Sequence, residues 1–499
     1  MAPARLYAAA AAAVLGGAAG AYYVYRRLCA RTPCFDGFDG LYAYARRRLS
    51  RLEGPSAAGL SRRSAGALEE SEADEALLRG LKNQYSAEDN RSGYLVLSVA
   101  ENKLSFDELA LPLKAACACV PDEQVFGYDD MRGTWRFRSA MARFLSRHLC
   151  PTVEVKPEHV VLASGVAAVI DHLFFALCDE GDGVLIPAPF YPAFVLDLTV
   201  KAKVVPIPVP TEGGGYVATA AALTAAAQQA LRSGRCGRIR AVLITNPGNP
   251  HGIVMSHDQL GDILRWAMDN EIHLVSDEVY AASLYNPRPE GEAFVSAAAC
   301  AYGREDEAEP AAEVDPNYVH VIYGLSKDFA ASGLRVGCLY SRSEWLLRAF
   351  SSISQFSTVS HLTQYALSVL LEDEAFVDRY LEENRRRLRT SYEILARGLD
   401  GLGLPFTRPS AGLFVWVDFR PLISIWRRFG SQAVSVLDER GLALAFWRRL
   451  VNDWHIVLTR GDLCHSAEPG FFRICFAYVG VDALRELLQR LEEVKKLYQ

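Results

Sequence analysis

From Tyr94 onward the chain alternates short, continuously apolar runs with longer stretches of helical character, and this alternation constrains its fold more than any other feature. A run that is apolar at successive positions is buried on both faces. A sheet built of such runs needs helices on each side, which is the arrangement of parallel α/β proteins. The runs are Val160–Ala163, Val184–Pro187, Ile239–Thr245, Ile272–Ser276, His320–Tyr323 and Val336–Tyr340. Helical stretches lie between them at Val166–Cys178, at Thr219–Arg232 with Thr219 as N-cap, and at Gln259–Asn270. The fold class is therefore α/β, with a large domain of mostly parallel sheet flanked by helices. Ligands of such sheets bind beyond the carboxyl ends of the strands. After residue 360 the texture changes. Thr363–Leu399 reads as long helix with a bend near Asp373, followed by short strands at Leu413–Val417, Ile456–Thr459 and Phe472–Phe476 and a terminal helix after Val481. A smaller α+β domain is expected there, so the boundaries are 126–360 for the large domain and 361–499 for the small one. An arm, 94–125, joins the small domain.

Upstream, residues 32–93 read as a linker or N-terminal extension, because 50–90 are rich in Ser, Gly, Ala and charge. Residues 1–31 hold a hydrophobic segment: Leu6–Tyr25 carries no charge over twenty residues and Arg26, Arg27 and Arg31 follow. That length spans a bilayer, and the arginines would hold the C-terminal side in the cytosol. The alternatives are an organelle transit peptide, since 26–65 are rich in Arg and Ser, and a disordered tail. The catalytic portion is expected in the cytoplasm. Asn286–Asn317, rich in Pro, Gly and acids, reads as a solvated surface insertion.

The net charge of −6 argues against a general nucleic-acid binder. The eleven cysteines are scattered with no Cys-x-x-Cys, which excludes zinc spacing and a disulfide framework, and no metal is expected.

Chemistry is concentrated where the strands end. Gly324–Gly337 follows the apolar run Tyr318–Tyr323 and places Lys327 and, eight residues on, Arg335 beside two glycines. Burial lowers the pKa of a lysine at such a point, and the neutral amine forms a Schiff base with an aldehyde. The planar fork of Arg335 suits a phosphate dianion. An aldehyde and a phosphate on one small molecule describe pyridoxal phosphate; the plainer reading is a surface Lys and Arg flanking a loop. Asp277, after the strand Ile272–Ser276, can pair with a protonated pyridine nitrogen, and otherwise reads as a helix cap. Tyr280 and Asn246, the latter in Thr245–Gly252 with its repeated Asn-Pro, are placed to bond an oxygen on the same ring. Ala163–Val166 runs from strand into helix, where free amides favour a phosphate. Tyr191 is either a stacking platform or ordinary core.

Together these residues resemble the fold-type I pyridoxal-phosphate enzymes, aminotransferase class I and II, and within them the 1-aminocyclopropane-1-carboxylate (ACC) synthases and their animal homologues. The resemblance runs from about Tyr94 to Tyr498. It includes Ala100–Leu104, the Asn-Pro turn, Ser276–Tyr280, Ser326–Asp328, Ala411–Asp418 and Glu468–Arg473. It implies Lys327 as Schiff-base lysine and proton shuttle, Asp277 at the pyridine nitrogen, Asn246 and Tyr280 at the ring oxygen, and Tyr191 stacked on the ring. It implies Arg335, Ser326 and the amides of Val166 and Ala167 at the phosphate, Arg473 on the substrate α-carboxylate, and Glu101 near the amino-acid pocket. A homodimer with shared active sites follows, in which Tyr128 reaches the neighbouring subunit's cofactor. Three departures stand out: Gly324 replaces a serine and Ala167 a threonine or serine at the phosphate, and Met131 stands where plant-type ACC synthases carry a tyrosine. The expected substrates are an α-amino acid and a keto acid, and the expected reaction is transamination. The alternatives are ACC synthesis from S-adenosylmethionine and a homologue that binds the cofactor weakly without catalysis.

Overall fold

The computed structural model describes residues 71–211, 216–286, 293–303, 314–429 and 437–497. The hydrophobic segment 6–25 and the acids Glu305–Glu313 lie outside the described residues. Among the described residues thirteen strands are present, in chain order β1 (Leu95–Val96), β2 (Val160–Ala163), β3 (Gly183–Ala188), β4 (Val205–Pro210), β5 (Ile239–Thr245), β6 (His273–Asp277), β7 (Val319–Gly324), β8 (Gly337–Ser341), β9 (Phe406–Thr407), β10 (Phe414–Asp418), β11 (Ile456–Val457), β12 (Thr459–Arg460) and β13 (Phe471–Cys475). Seven of them form one sheet in the order β2-β8-β7-β6-β5-β3-β4. Every pair from β3 to β7 is parallel, whereas β8 runs antiparallel to both β2 and β7.

Successive residues of the central strands enter different apolar clusters. Leu185, Val242, Leu274, Val321 and Cys338 belong to one, and Val184, Leu243, Val275, Ile322 and Leu339 to another. Each such side chain, fully buried, contributes about 1.5–3 kcal/mol. The mostly parallel, doubly covered sheet is thus the direct outcome of strands apolar on both sides. β4 carries no such pattern, because Pro206, Pro208 and Pro210 occupy alternate positions. Their missing N–H groups all fall on one side, which is tolerable only at a sheet edge. There β4 bonds β3 alone, and Val205 N–H donates to Asp182 O at 2.8 Å.

A third cluster, including Leu413, Val415, Trp447, Ile474 and Leu487, sits around the antiparallel sheet β12-β13-β10-β9. Leu95 and Leu97 join it, and β1 pairs in parallel with β11. The stretch Ile456–Thr459 is two strands, since β11 pairs with β1 and β12 with β13. The long helix is likewise two, His361–Glu372 and Glu374–Leu402, because Asp373 leaves helical geometry and accepts from Phe376 N–H at 2.9 Å as a cap. Thr219 caps its helix through Ala222 N–H at 3.2 Å.

Two expectations are corrected. Within the stretch read as linker, Glu72–Lys82 is a helix, started by a capping box between Ser71 and Asp74 and buried along Ala76 and Gly80. Acids in its first turn and bases in its last complement the helix dipole. Within the segment read as solvated insertion, residues 293–303 are part of the core. Ala297–Tyr302 is a helix with Ala297 and Ala298 buried, and Val295 packs beside them.

Candidate active site

The carboxyl ends of β2, β5, β6 and β7 converge on one rim. Because β8 is antiparallel, its amino end lies on the same rim, with Gly337 opposite both Ala163 and Gly324. Arg335 is thereby brought beside the helix start after β2, a neighbourhood the sequence separation conceals.

Lys327 lies in the short helix Leu325–Asp328 directly after β7, and its Nζ donates to Ala100 O at 2.6 Å. Its pKa is lowered, first by burial and then by the charge of Arg473, while Cys475, Asp277 and Glu101 pull the other way. The backbone around it is fixed from afar. Asn384, on the helix Glu374–Leu402, donates to Asp328 O at 3.1 Å and accepts from Asn102 Nδ2 at 2.7 Å. The buried Asp328 carboxylate accepts from Ala282 N–H and Tyr323 Oη, both at 2.9 Å, and from Ser283 Oγ.

Asp277 closes β6 and is 5% exposed; burial pushes its carboxyl up to about 7, against Val279 N–H and the Lys327 charge. Register places Thr245 opposite Asp277, so Asn246 comes next to it, and Asn246 N–H donates to Asp277 O at 2.9 Å. The Asn246 amide is oriented by two backbone bonds, to Val295 O at 3.1 Å and from Met255 N–H at 3.0 Å. One amide N–H is left to offer. Tyr280 is buried edge-on to Phe414 at 5.3 Å, and burial holds its phenol well above the usual pKa, so it remains a donor. Tyr191, edge-on to Phe194 at 5.4 Å, feels the charges of Arg473, Asp277 and Arg335.

Arg473, on β13, is 3% exposed. Its Nη1 donates to Asn249 Oδ1 at 2.8 Å, and its Nη2 to Ser98 O at 2.8 Å and Thr459 Oγ1 at 3.2 Å. Its Nε has no partner among the described residues. A buried guanidinium with an unpaired donor fits a carboxylate ligand.

The fourth part is an anion cradle. Ala168 and Val169 N–H both turn back to Gly165 O, leaving the amides of Val166 and Ala167 at the open start of the helix Val166–Leu177. Gly165 has φ +90°, and a Cβ there would lie 2.3 Å from Arg335 Nη2, so only glycine lets the guanidinium rest against the helix start. At Gly324, whose backbone is extended, a Cβ would meet Val166 Cγ2 at 2.7 Å and Val336 O at 2.9 Å. The Val166 methyl and a carbonyl already occupy the place a serine side chain would take. Ser326 is buried on the same turn.

Lys327, Asp277, Tyr280, Asn246, Tyr191, Ser326, Arg335, Val166, Ala167, Glu101 and Arg473 therefore lie around one rim or within its electrostatic reach. Tyr128 is 96% exposed. Met131 is packed with its Sδ 3.5 Å from Thr358 Oγ1. The sequence reading missed the Ala100 carbonyl, Ser98, Thr459 and Asn384, which carry no local signature. Asn249 was within reach, as the second Asn of the repeated Asn-Pro turn.

Residues 95–491 match the family described as Aminotransferase class I and II. A 1-aminocyclopropane-1-carboxylate synthase 4 of Oryza sativa subsp. japonica is 36% identical over 432 residues, covering 82% of this chain and 84% of that protein. The synthase 5 of Arabidopsis thaliana is 34% identical over 421 residues, covering 82% and 85%. Among solved structures, a single mutant of Thermus thermophilus aspartate aminotransferase superposes with TM-score 0.69 at 23% identity, covering 87% of this chain and 99% of that one. The Thermotoga maritima aspartate aminotransferase gives 0.66 at 22%, covering 88% and 100%. At these identities the two structures establish the fold.

Proposed function

The chain belongs to the aminotransferase class I and II family and is a pyridoxal-phosphate-dependent enzyme; from that premise we propose that it transfers the amino group of an α-amino acid to a keto acid. The cofactor, when bound, supplies an aldehyde for amines and a ring that takes up electrons. The residues present fit it, with a cradle for its phosphate, a buried carboxyl for its ring nitrogen, and a lysine amine at the end of β7.

Lys327 Nζ is the group that moves the substrate Cα proton, and its lowered pKa enlarges the neutral fraction that can do so. Asp277 would hold the ring nitrogen proton, Tyr280 and Asn246 would donate to the ring oxygen, and Tyr191 would offer its face to the ring. Arg335, Ser326 and the amides of Val166 and Ala167 hold the phosphate. Arg473 grips the substrate carboxylate through its unpaired Nε, and Glu101 lines the amino-acid side of the pocket. Residues 126–360 form the cofactor-binding domain, 361–499 the small domain and 94–125 the arm, with Tyr128 exposed to reach a partner subunit in a homodimer.

The observation that favours transamination over ACC formation is Met131. Its thioether, bonded by Thr358, offers no hydroxyl where plant-type ACC synthases carry a tyrosine. A second reading, ACC formation from S-adenosylmethionine, is supported by the rice and Arabidopsis relatives. The purified protein, given pyridoxal phosphate, S-adenosylmethionine and a panel of amino and keto acids, decides by product identification. New amino acid from keto acid supports transamination, and ACC as main product refutes it.

No helix among the described residues is long and apolar enough to cross a membrane. For residues 6–25 we keep the reading of an anchor on a cytoplasmic catalytic unit, supported by their uncharged length; carbonate extraction of membranes with and without residues 1–31 tests it.

A further inference from the structure

Ser164, between β2 and the helix that opens after Gly165, directs both of its donors to one short segment. Its N–H donates to Ser357 O at 2.7 Å and its hydroxyl to Thr358 O at 3.0 Å. The Ser357 hydroxyl lies 2.8 Å from His172 Nε2. His172 Nδ1 lies 3.0 Å from Asp171 Oδ2, which also accepts from Lys201 Nζ at 2.6 Å. Burial alone would raise the Asp171 pKa, but the bonds to His172 and Lys201 more than offset this and hold it below the usual range. An ionised carboxylate only accepts, so Nδ1 carries a proton, and the contact between Nε2 and the Ser357 hydroxyl is a hydrogen bond whichever of the two donates.

His172 is 3% exposed, set edge-on to Phe350 at 5.4 Å, and it belongs to the same helix, Val166–Leu177, whose first amides form the anion cradle. A closed circuit results. The helix carries His172, His172 holds Ser357, the segment Ser357–Thr358 holds Ser164, and Ser164 leads through Gly165 back to the helix start. The Val166 N–H belongs to the peptide that Gly165 begins, and the helix that carries the Ala167 N–H starts from there, so the placement of Ser164 and Gly165 bears on both amides. With Gly324 and Ala167 contributing no hydroxyl, those amides carry a larger share of the anion.

We propose that His172 is a positioning residue for the anion cradle, acting through the Ser357 hydroxyl on Ser164. The proposal rests on the cofactor reading above, and two ligands separate the fates of the two. The full-length protein, stripped of cofactor, is titrated with pyridoxal phosphate and, separately, with inorganic phosphate, and its melting temperature is measured.

His172→Phe and Ser357→Ala should each weaken binding of both ligands about fivefold to tenfold, the worth of one well-made hydrogen bond. The double variant should be no weaker than either single one, because both remove the same bond. Ser357→Thr, which keeps the hydroxyl, should bind as the wild type does, a rescue that a merely structural role for position 357 would not produce. Wild-type affinity in Ser357→Ala, or losses that add in the double variant, overturns the proposal. If His172→Phe fails to fold, Ser357→Ala against Ser357→Thr decides alone. A wild-type protein that ignores pyridoxal phosphate overturns the cofactor reading, whereas phosphate affinity that still follows the hydroxyl sustains the role of His172.

Discussion

The two halves of the site are built by different means. Around Lys327, Asp277 and Arg473 the work is done by side chains set into the protein, with three bonds from Arg473, one from Lys327 to Ala100 O and one from Val279 N–H to Asp277. Around the anion cradle it is done by backbone amides, glycine and one guanidinium, with Arg335 itself exposed and donating to Ser332 O at 3.0 Å. On the function proposed above, loss of a side chain in the first half would remove a proton carrier or leave a buried group unpaired, whereas substitutions in the second half would change how a ligand is held more than what happens to it, so chemistry and affinity should be separable.

The largest break in that comparison is Lys327→Ala. With the amine gone, amino-acid turnover should fall by roughly 10³-fold or more, while phosphate affinity stays near wild type. Steady-state rates beside a phosphate titration check both statements. Arg473→Lys removes the fork and leaves Asn249 and Ser98 without their partners; kcat/KM for the amino acid should fall about 10–100-fold, the scale of a charged hydrogen bond. If pyridoxal-phosphate affinity fell equally, the separation of the halves would be wrong.

Asp277 sharpens the comparison through pH. In cofactor-free protein its pKa is raised to about 7, so the folded state binds its proton more tightly than the unfolded state does. Its stabilising contribution is full below the ordinary carboxyl range, about pH 4, and is lost as pH rises through 7. Asp277→Asn should thus melt higher than wild type at pH 8 and lose that advantage near pH 4, as calorimetry across that range would reveal.

The smallest effect is expected at the cradle. Gly324→Ser alone should destabilise the protein by about 1–3 kcal/mol, because the new side chain meets Val166 and Val336 O. Gly324→Ser combined with Val166→Ala removes the methyl contact and leaves the one with Val336 O, so it should recover part of the lost stability and tighten pyridoxal phosphate up to about tenfold by adding one hydroxyl donor. Unchanged affinity in the double variant would mean that the amides and Arg335 already saturate the phosphate.

Much of this architecture was legible in the residues. The strands of the main sheet were placed to within a residue or so, because burial on both faces leaves a continuous apolar trace. Lys327, Asp277 and Asn246 were legible because they follow such strands directly. β4 was not, since its alternating prolines mimic a loop until its edge position is known. Nor was Glu72–Lys82, whose charge content, within a stretch rich in Ser, Gly and Ala, hides a capped helix with a narrow buried face. The segment 293–303 looked solvated from its acidic neighbours, yet Val295 O orients Asn246 and Ala297 N–H bonds Glu278 Oε1 at 2.7 Å.

By itself the amino-acid order determined that a doubly covered sheet forms and that the reactive residues stand at its strand ends, since both follow from local periodicity. The tertiary structure alone decided their partners: Asn249 with Arg473 across 224 positions, Asn102 with Asn384 across 282, and Val166 in the space of a missing serine. Such pairings depend on how distant elements pack, and packing at that range leaves no periodic mark along the chain.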